Sequence, residues 1–372
     1  MNENNQKIAE TLGRIRPLDT AAMKLVRQRL DTLTKPPGSL GRLEEIAIQL
    51  AGIRGESFPP HTAKKIVVMA ADHGITAEGV SAYPSAVTAQ MVANFVNGGA
   101  AINVLARLSG AAVRVVDIGV ASEITAPGVT RAKVRPGTAN FAREAAMSRD
   151  EALQAIAAGI AVAEEEVAAG TGLLGTGEMG IGNTTASSAV MAALTGCSPR
   201  RLVGPGTGID EQGVSHKTAV VERALAYYAL KSDRPLEVLS TVGGLEIAGL
   251  AGLIIGGAAF RCPVVVDGFI STVAALVAVR MNPVVLHFII PSHLSQEPGH
   301  ALLLEHLELK PYLHMNMRLG EGTGAALTMH LVEGAARILA EMATFAEAGV
   351  SNKEEGNACE NLPGEARTHG VE

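Results

Sequence analysis

Residues 175–185 read Gly175-Thr-Gly-Glu-Met-Gly-Ile-Gly-Asn-Thr-Thr185, with four glycines around one carboxylate. Glycine lets the backbone take φ > 0 or approach a ligand closely, so successive N–H groups can point at one anion. One of residues 183–185 is expected to cap a helix over 186–194, whose positive N-terminal end favours a phosphate or carboxylate. The charge of Glu178 indicates a ligand-binding turn, although a plain strand-to-helix turn uses the same glycines.

Two common nucleotide-binding motifs do not fit this stretch. Its first glycines have the spacing of a dinucleotide-binding turn, but Pro199, Arg200 and Arg201 stand where an acid for the ribose is expected. No Gly-Lys-Ser/Thr ends the run, as a P-loop requires. The sequence therefore argues against an NAD site or a P-loop at this turn.

The composition is that of a globular protein. The chain has 372 residues, 47% of them hydrophobic, which is enough for a large core, and only 3% aromatic. The formal net charge of −6 includes no basic block, which argues against a nucleic-acid partner. Three cysteines form no CxxC motif, and no apolar signal segment opens the chain, so we expect a reducing cytoplasm. The most apolar run, residues 247–260, is too short to span a bilayer and predicts a buried helix.

Hydrophobic periodicity predicts an α/β fold. Residues 19–33 and 40–53 have helical spacing around a Pro-Gly turn and predict a helical hairpin. Short β-branched runs alternate with helical patterns after it, which favours a doubly wound, mostly parallel sheet covered on both faces. The predicted strands are residues 66–70, 113–118, 173–175, 263–267 and 284–290. The predicted helices after the hairpin are residues 86–108, 148–170 with a capping box at its start, 270–280, 300–309 and 324–345.

Several polar loops follow predicted strands, and ligands of such sheets bind at the carboxyl ends of strands. These loops are residues 71–74, 175–185, 267–268 and 291–295, which we expect to converge on one cleft. Lys217 follows a further glycine cluster at 204–208 and is either a phosphate partner or a surface lysine. Glu321, between glycines before a long apolar helix, is either a charge at a helix N-terminus or a catalytic base.

Other chemistries have weaker support. Four histidines between residues 293 and 314 reproduce no zinc-binding spacing, so no metal is expected. No Gly-x-Ser-x-Gly elbow is present, and nothing pairs Cys197 with a histidine. Asp72-His73 fits a hydrogen-bonded strand end better than a catalytic pair.

Four motifs together carry a resemblance to a known family. Lys35-Pro-Pro-Gly-Ser-Leu-Gly41, Ala71-Asp-His-Gly74, Gly177-Glu-Met-Gly-Ile-Gly-Asn-Thr-Thr185 and Arg318-Leu-Gly-Glu-Gly-Thr-Gly324 occur in the order found in nicotinate-nucleotide:dimethylbenzimidazole phosphoribosyltransferases. The resemblance covers roughly residues 10–350. It implies phosphoribosyl transfer from nicotinate mononucleotide to 5,6-dimethylbenzimidazole with inversion at the anomeric carbon, without a cofactor, in assembly of the cobalamin lower ligand.

The resemblance also implies an architecture. Residues 1–58 and 330–351 would form a small helical domain, residues 59–329 a Rossmann-like catalytic domain, and two chains a homodimer. Residues 352–372 lie outside the resemblance, and their polar composition predicts a disordered tail.

Site residues are implied position by position. Glu321 matches the catalytic base and Glu178 a second acidic active-site residue. The positions around the phosphoribosyl group are Gly180, Lys217, Gly268 and Ser295, and Tyr83 and Met91 fall in the region of the base pocket. Leu319 and Gly320 are further substrate-binding positions.

Two alternatives remain open at this point. A nicotinate-mononucleotide hydrolase would release ribose phosphate without any benzimidazole. A non-catalytic nucleotide sensor would bind the nucleotide and turn nothing over.

Overall fold

The computed structural model describes residues 3–57, 59 and 61–352. Within them, six strands pair side by side in one sheet, and every pairing is parallel. The strands are β1 (Ala63–Ala71), β2 (Ala111–Gly119), β3 (Val129–Arg131), β4 (Thr171–Met179), β5 (Val264–Val266) and β6 (Ile289–Pro291). Their order across the sheet is β3-β2-β1-β4-β5-β6, which confirms the predicted α/β fold with a parallel sheet.

Helices connect the strands and cover both faces of the sheet. Those before β4 are α1 (Glu3–Arg14), α2 (Thr20–Thr32), α3 (Arg42–Arg54), α4 (Ala86–Val96), α5 (Ala101–Ser109) and α6 (Arg149–Ala168). Those after β4 are α7 (Asn183–Thr195), α8 (Pro199–Leu202), α9 (Glu211–Tyr228), α10 (Pro235–Val242), α11 (Leu245–Ala259), α12 (Phe269–Met281), α13 (Pro298–His306), α14 (Thr323–Glu341) and α15 (Phe345–Ala348). Short 3₁₀ helices span Gly74–Glu78 and Pro283–Phe288.

The strand order changes direction between β1 and β4. From β1 the chain proceeds outward to β2 and β3, and then returns to β4 on the other side of β1. Connections that leave β1 and β4 in opposite directions create a crevice at such a switch point, and open α/β sheets bind their ligands there.

Alternate residues of β1 enter two separate hydrophobic cores, because successive side chains of a strand point to opposite faces. Val67 and Met69 pack in a core with residues of α6, α7, α11 and α12. Ile66 and Val68 pack in a second core with residues of α2, α3, α5 and α14. Helix α11 is buried along almost its whole length, which confirms the buried helix predicted from the most apolar run.

Three predicted elements differ from the structure in number, type or length. The pattern over 86–108 forms α4 and α5, because residues 97–100 break it. The predicted strand over 284–290 is mostly 3₁₀ helix: Pro283 opens it, and the side chain of Asn282 accepts a hydrogen bond from the Val284 N–H. The predicted strand over 173–175 extends to 171–179 and absorbs half of the glycine-rich stretch.

The two ends of the described chain pack together. Helices α2 and α3 form the predicted hairpin and share a core with α14. The Arg29 side chain donates a hydrogen bond to the Leu339 carbonyl, and the Thr34 N–H donates to the Ala343 carbonyl. The division into residues 1–58 with 330–351 and residues 59–329 stays a prediction, and residues 353–372 of the predicted tail lie outside the described residues.

No helix in the described part of the chain is long and apolar enough to cross a membrane.

Candidate active site

A cavity of about 470 Å³ opens at the carboxyl ends of β4, β5 and β6. Five stretches with predicted site residues or loops meet there: the glycine-rich stretch, the glycine cluster at 204–208, the loop after β5, the loop after β6, and the turn before α14. The loop 71–74, which was expected to join them, does not line the cavity. Of the predicted site residues, those that line the cavity are Tyr83, Met91, Glu178, Gly180, Gly268, Ser295, Leu319, Gly320 and Glu321.

Glu178 is the penultimate residue of β4, so the prediction that it lies in a turn is wrong. Gly177 and Gly180 on either side do not take φ > 0, whereas Gly182 has φ = 97° and forms the N-cap of α7. No side chain of residues 183–185 caps this helix, so the expected cap is wrong. Asn183 instead donates a hydrogen bond from Nδ2 to Oε2 of Glu178 at 2.5 Å.

Burial gives Glu178 an unusual protonation state. The side chain is almost fully buried, and loss of hydration raises its pKa to about 8, with a further contribution from the negative charge of Asp267. The hydrogen bond from Asn183 acts in the opposite direction but is the weaker effect. Glu178 is therefore protonated at neutral pH and can donate a hydrogen bond into the cavity.

Glu321 lies in a turn of three consecutive left-handed residues. The φ angles of Gly320, Glu321 and Gly322 are 83°, 64° and 95°. A left-handed backbone is unfavourable for a residue with a Cβ, and such strain concentrates at functional sites. The turn aims the Glu321 side chain at the first turn of α5, where Oε2 accepts a hydrogen bond from the Ile102 N–H at 3.4 Å.

The Glu321 carboxylate has a raised pKa, chiefly because burial removes its hydration. The Ile102 N–H opposes this effect, and the charge of Asp267 adds to it. A carboxylate with a raised pKa is a stronger base in its ionised form than an exposed one.

Asp267, at the end of β5, holds the Glu321 turn in place. Its Oδ2 accepts a hydrogen bond from the Gly322 N–H at 3.0 Å, and its Oδ1 accepts from Gly324 at 2.7 Å and Ala325 at 3.0 Å. These donors are the free N–H groups at the start of α14, which a carboxylate satisfies well. The sequence predicts a ligand-binding loop after this strand, but no local pattern indicates that Asp267 holds the Glu321 turn.

A close contact with β4 fixes the same turn from the other side. A Cβ added to Gly177 would lie 2.5 Å from the carbonyl oxygen of Glu321. Glycine at this strand position therefore permits a close approach of two backbones, which brings Glu178 and Glu321 to one wall of the cavity.

Lys217 is a buried residue of α9 and not a surface lysine. Its Nζ donates hydrogen bonds to the hydroxyl of Thr184 at 2.7 Å and to the carbonyl of Gly204 at 3.3 Å. Burial lowers its pKa to about 8, and the charge of Glu297 opposes the change. Lys217 lies behind the cavity wall, which it reaches through Thr184.

Two charged residues of the cavity lining were not predicted as site residues. Glu297 is buried, and its Oε1 accepts a hydrogen bond from the Gly206 N–H at 3.1 Å. Arg318 donates from Nη1 to the Gly206 carbonyl at 2.7 Å. Arg318 opens the motif over 318–324 and Glu297 follows the loop 291–295, but only the fold brings the two residues to the glycine cluster at 204–208.

Five apolar or aromatic side chains form one part of the cavity lining, which we call the apolar end. Tyr83, Met91 and Leu319 line it together with Val87 and Met179. Tyr83 and Leu319 are 55% and 58% exposed, so they form the mouth of the cavity, whereas Met91 lies deeper. A flat apolar ring fits this end better than a phosphate does.

Asp72 and His73 lie outside the cavity lining, as hydrogen-bonded residues at the end of β1. Asp72 Oδ2 accepts a hydrogen bond from the Ala121 N–H, and His73 Nε2 lies 2.7 Å from Glu246 Oε1 with both side chains fully buried. This arrangement agrees with the prediction that Asp72 and His73 form a hydrogen-bonded strand end.

Known proteins of one activity resemble the chain. A phosphoribosyltransferase family model matches residues 15–350. The nicotinate-nucleotide–dimethylbenzimidazole phosphoribosyltransferase of Chloroflexus aggregans is 54% identical over 94% of this chain and 99% of its own length. Its counterpart in Halalkalibacterium halodurans is 53% identical over 93% of this chain and 97% of its own.

A solved structure agrees with this likeness. The crystal structure of the nicotinate-nucleotide–dimethylbenzimidazole phosphoribosyltransferase from Thermus thermophilus has a TM-score of 0.85 and 48% identity, and the match covers 90% of this chain and all of that one.

Proposed function

The chain belongs to the phosphoribosyltransferase family whose model spans residues 15–350, and we propose that it transfers phosphoribose from nicotinate mononucleotide to 5,6-dimethylbenzimidazole. The products are α-ribazole 5′-phosphate and nicotinate. This nucleotide is the lower ligand of cobalamin, so the enzyme acts in cobalamin assembly.

The chemistry places modest demands on the protein. Nicotinate on the anomeric carbon is a pyridinium and leaves as a neutral ring nitrogen. One imidazole nitrogen of the acceptor attacks that carbon from the opposite face, which inverts its configuration. The other imidazole nitrogen loses its proton, so a single well-placed base and correct alignment supply most of the catalysis.

The position of Glu321 supports this proposal most directly. Its carboxylate has a raised pKa and lines the cavity from a strained turn that follows Leu319 of the apolar end. A base at this position can take the proton of a benzimidazole bound between Met91 and Leu319. Glu178, which is protonated, donates a hydrogen bond to the ribose or to the acceptor.

The remaining polar and glycine residues of the lining suit the phosphoribosyl group. Gly180, Gly268 and Ser295 offer backbone and hydroxyl groups without bulky side chains. Asn183 and Thr184 at the positive N-terminal end of α7 line the cavity, and Lys217 places a positive charge behind Thr184. Backbone N–H groups with one ammonium are a common setting for phosphate.

Product analysis tests the proposal. The protein is incubated with nicotinate mononucleotide, with and without dimethylbenzimidazole, and products are separated by chromatography and mass spectrometry. α-Ribazole 5′-phosphate and nicotinate should form in equal amounts only when the acceptor is present. Nicotinate release without acceptor would instead indicate a hydrolase, and binding without turnover a sensor.

We also infer a homodimer in the cytoplasm, which rests on the family resemblance. Size-exclusion chromatography with light scattering measures the mass, for which twice 38.4 kDa is expected. Fractionation of cells that express the protein without a tag at its N-terminus tests whether it is cytoplasmic.

A further inference from the structure

His300, on the first turn of α13, connects two loops of the cavity. Its Nδ1 accepts a hydrogen bond from the Ser295 N–H at 2.8 Å, and its Nε2 lies 3.0 Å from the hydroxyl of Thr272. That hydroxyl also lies 2.8 Å from the Gly268 carbonyl, to which it donates. We call this chain of Ser295, His300, Thr272 and Gly268 the His300 relay.

The direction of each hydrogen bond follows from the groups involved. A backbone N–H can only donate, so Nδ1 of His300 is an acceptor and carries no proton. In a neutral imidazole the proton is then on Nε2, which donates to Thr272. Thr272 directs its single hydroxyl proton to the Gly268 carbonyl. Every donor in the relay has an acceptor, so the network is fully satisfied.

The relay requires a neutral imidazole. A second ring proton would point Nδ1–H at the Ser295 N–H and break the network. Burial lowers the pKa of His300 to about 3, and the neighbouring His293 adds to the effect. The residue is only 1% exposed. His300 therefore stays neutral throughout the pH range in which enzymes of this kind work.

The relay joins the loops that follow two adjacent strands of the sheet, at the cavity. Gly268 follows β5 and Ser295 follows β6, and both residues line the cavity. We propose that His300 is a positioning residue that sets the separation of the Gly268 and Ser295 loops, and with it the grip on the phosphoribosyl group of the donor. This inference rests on the proposed function, because it assigns the donor to that end of the cavity.

Three variants test the relay. His300→Leu removes both ring contacts, Thr272→Val removes the hydroxyl at nearly constant volume, and His300→Gln can restore one acceptor and one donor. His306→Leu is the matched control, since His306 is an exposed residue of the same helix. KM for nicotinate mononucleotide, KM for dimethylbenzimidazole, kcat and the thermal midpoint are measured for each.

We expect KM for the nucleotide to rise about tenfold in His300→Leu and Thr272→Val, the usual effect of losing one or two buried hydrogen bonds. KM for the acceptor should change less than about twofold, and His300→Gln should recover part of the loss. The pH profile of His300→Gln should match that of the wild type, because His300 does not titrate in this range.

Equal losses for both substrates, or an unchanged nucleotide KM in folded Thr272→Val and His300→Gln, would overturn the proposal. If His300→Leu does not fold, the other two variants decide. Calorimetric titration with nicotinate mononucleotide tests the relay even if the proposed function fails. A wild-type protein that binds the nucleotide without forming product can still be compared with the relay variants, which should bind it more weakly.

Discussion

Asn183 donates a hydrogen bond from its side-chain nitrogen to Oε2 of Glu178 at 2.5 Å, joining the end of β4 to the first residue of α7. Burial nonetheless keeps the pKa of Glu178 near 8. Glu321 has a raised pKa as well, but the Ile102 N–H at the start of α5 favours its ionised form. Two acidic residues of one cavity thus have different hydrogen-bond surroundings, and the backbone donor on Glu321 favours Glu178 as a hydrogen-bond donor and Glu321 as the base.

Glu178 should make the protein less stable as pH rises. A carboxyl group has a pKa near 4.5 when unperturbed and about 8 in this folded state. Between these values the folded state binds more protons than the unfolded state, so the free energy of unfolding falls with increasing pH. Glu178→Gln cannot lose a proton and lacks this contribution.

Thermal midpoints of wild type and Glu178→Gln, measured from about pH 5 to about pH 8, check this sign. The midpoint of the wild type should fall relative to that of the variant across the series. A difference that stays constant would show that the folded-state pKa of Glu178 is close to its ordinary value.

The alternation of strands and helices could be predicted from the sequence because it depends on local patterns. The β-branched runs of β1 and β2 and the capping box of Ser148 and Glu151 are all read within a few residues. The glycine-rich stretch misled the prediction for a physical reason. The glycines of β4 allow the backbone of the Glu321 turn to lie close to the strand. The sequence alone cannot distinguish glycines with this role from glycines that form a turn.

Long-range contacts account for the parts of the site that were missed. Asp267 holds a turn more than fifty residues later, and Glu297 meets a loop about ninety residues earlier. No local pattern records such pairs. The burial of Lys217 depends in the same way on how α9 packs behind Thr184, so the sequence left its role open.

Lys217→Met should weaken donor binding more than it slows turnover. The change keeps the side-chain length but removes the charge and the hydrogen bonds to Thr184 and Gly204. KM for nicotinate mononucleotide should rise by about tenfold or more, with a smaller change in kcat. Lys231→Met is the control, because Lys231 is an exposed lysine just beyond the same helix.

The pH dependence of donor binding offers a second check on Lys217. Its pKa of about 8 means that the ammonium loses its proton as pH rises through that value. Donor affinity should therefore decline above about pH 8 in the wild type, and this decline should be absent in Lys217→Met. An identical decline in both proteins would remove Lys217 from the phosphate site.

Gly177→Ala should disturb the Glu321 turn. The new methyl group would lie 2.5 Å from the Glu321 carbonyl and 3.0 Å from Val68 Cγ2, so the turn must move. We expect a loss of about 1–3 kcal/mol in stability, as for other overpacked sites, together with reduced turnover. Gly334→Ala in the middle of α14 is the matched control, because nothing lies within 4 Å of its added Cβ.

The control should be neutral or stabilising by up to about 1 kcal/mol, since alanine is the better helix former. Urea unfolding and kcat are measured for both variants. Full turnover in a folded Gly177→Ala protein would show that catalysis tolerates displacement of the turn.

Glu321→Gln should separate the two roles that a carboxylate in this turn can have. Glutamine keeps the volume and the contact with the Ile102 N–H but cannot accept the acceptor's proton. If Glu321 is the base, kcat falls ~10²–10⁴-fold. If it serves only as a charge beside α5 and α14, turnover is retained and stability falls by about 0.3–1 kcal/mol.

The measurement compares kcat and the thermal midpoint on one preparation, with Glu341→Gln at the last residue of α14 as the control for the loss of a carboxylate charge elsewhere in the protein. Because Glu321 acts in its ionised form and burial raises its pKa, the wild-type rate should increase with pH through a value above the ordinary 4.5. That acid limb should disappear in Glu321→Gln. A variant within a few-fold of wild-type turnover, with chemistry shown to be rate-limiting by single-turnover kinetics, would exclude Glu321 as the base. The ionised form of Glu178 would then be the next candidate for the catalytic base, and the turnover rate would rise as the pH approaches 8.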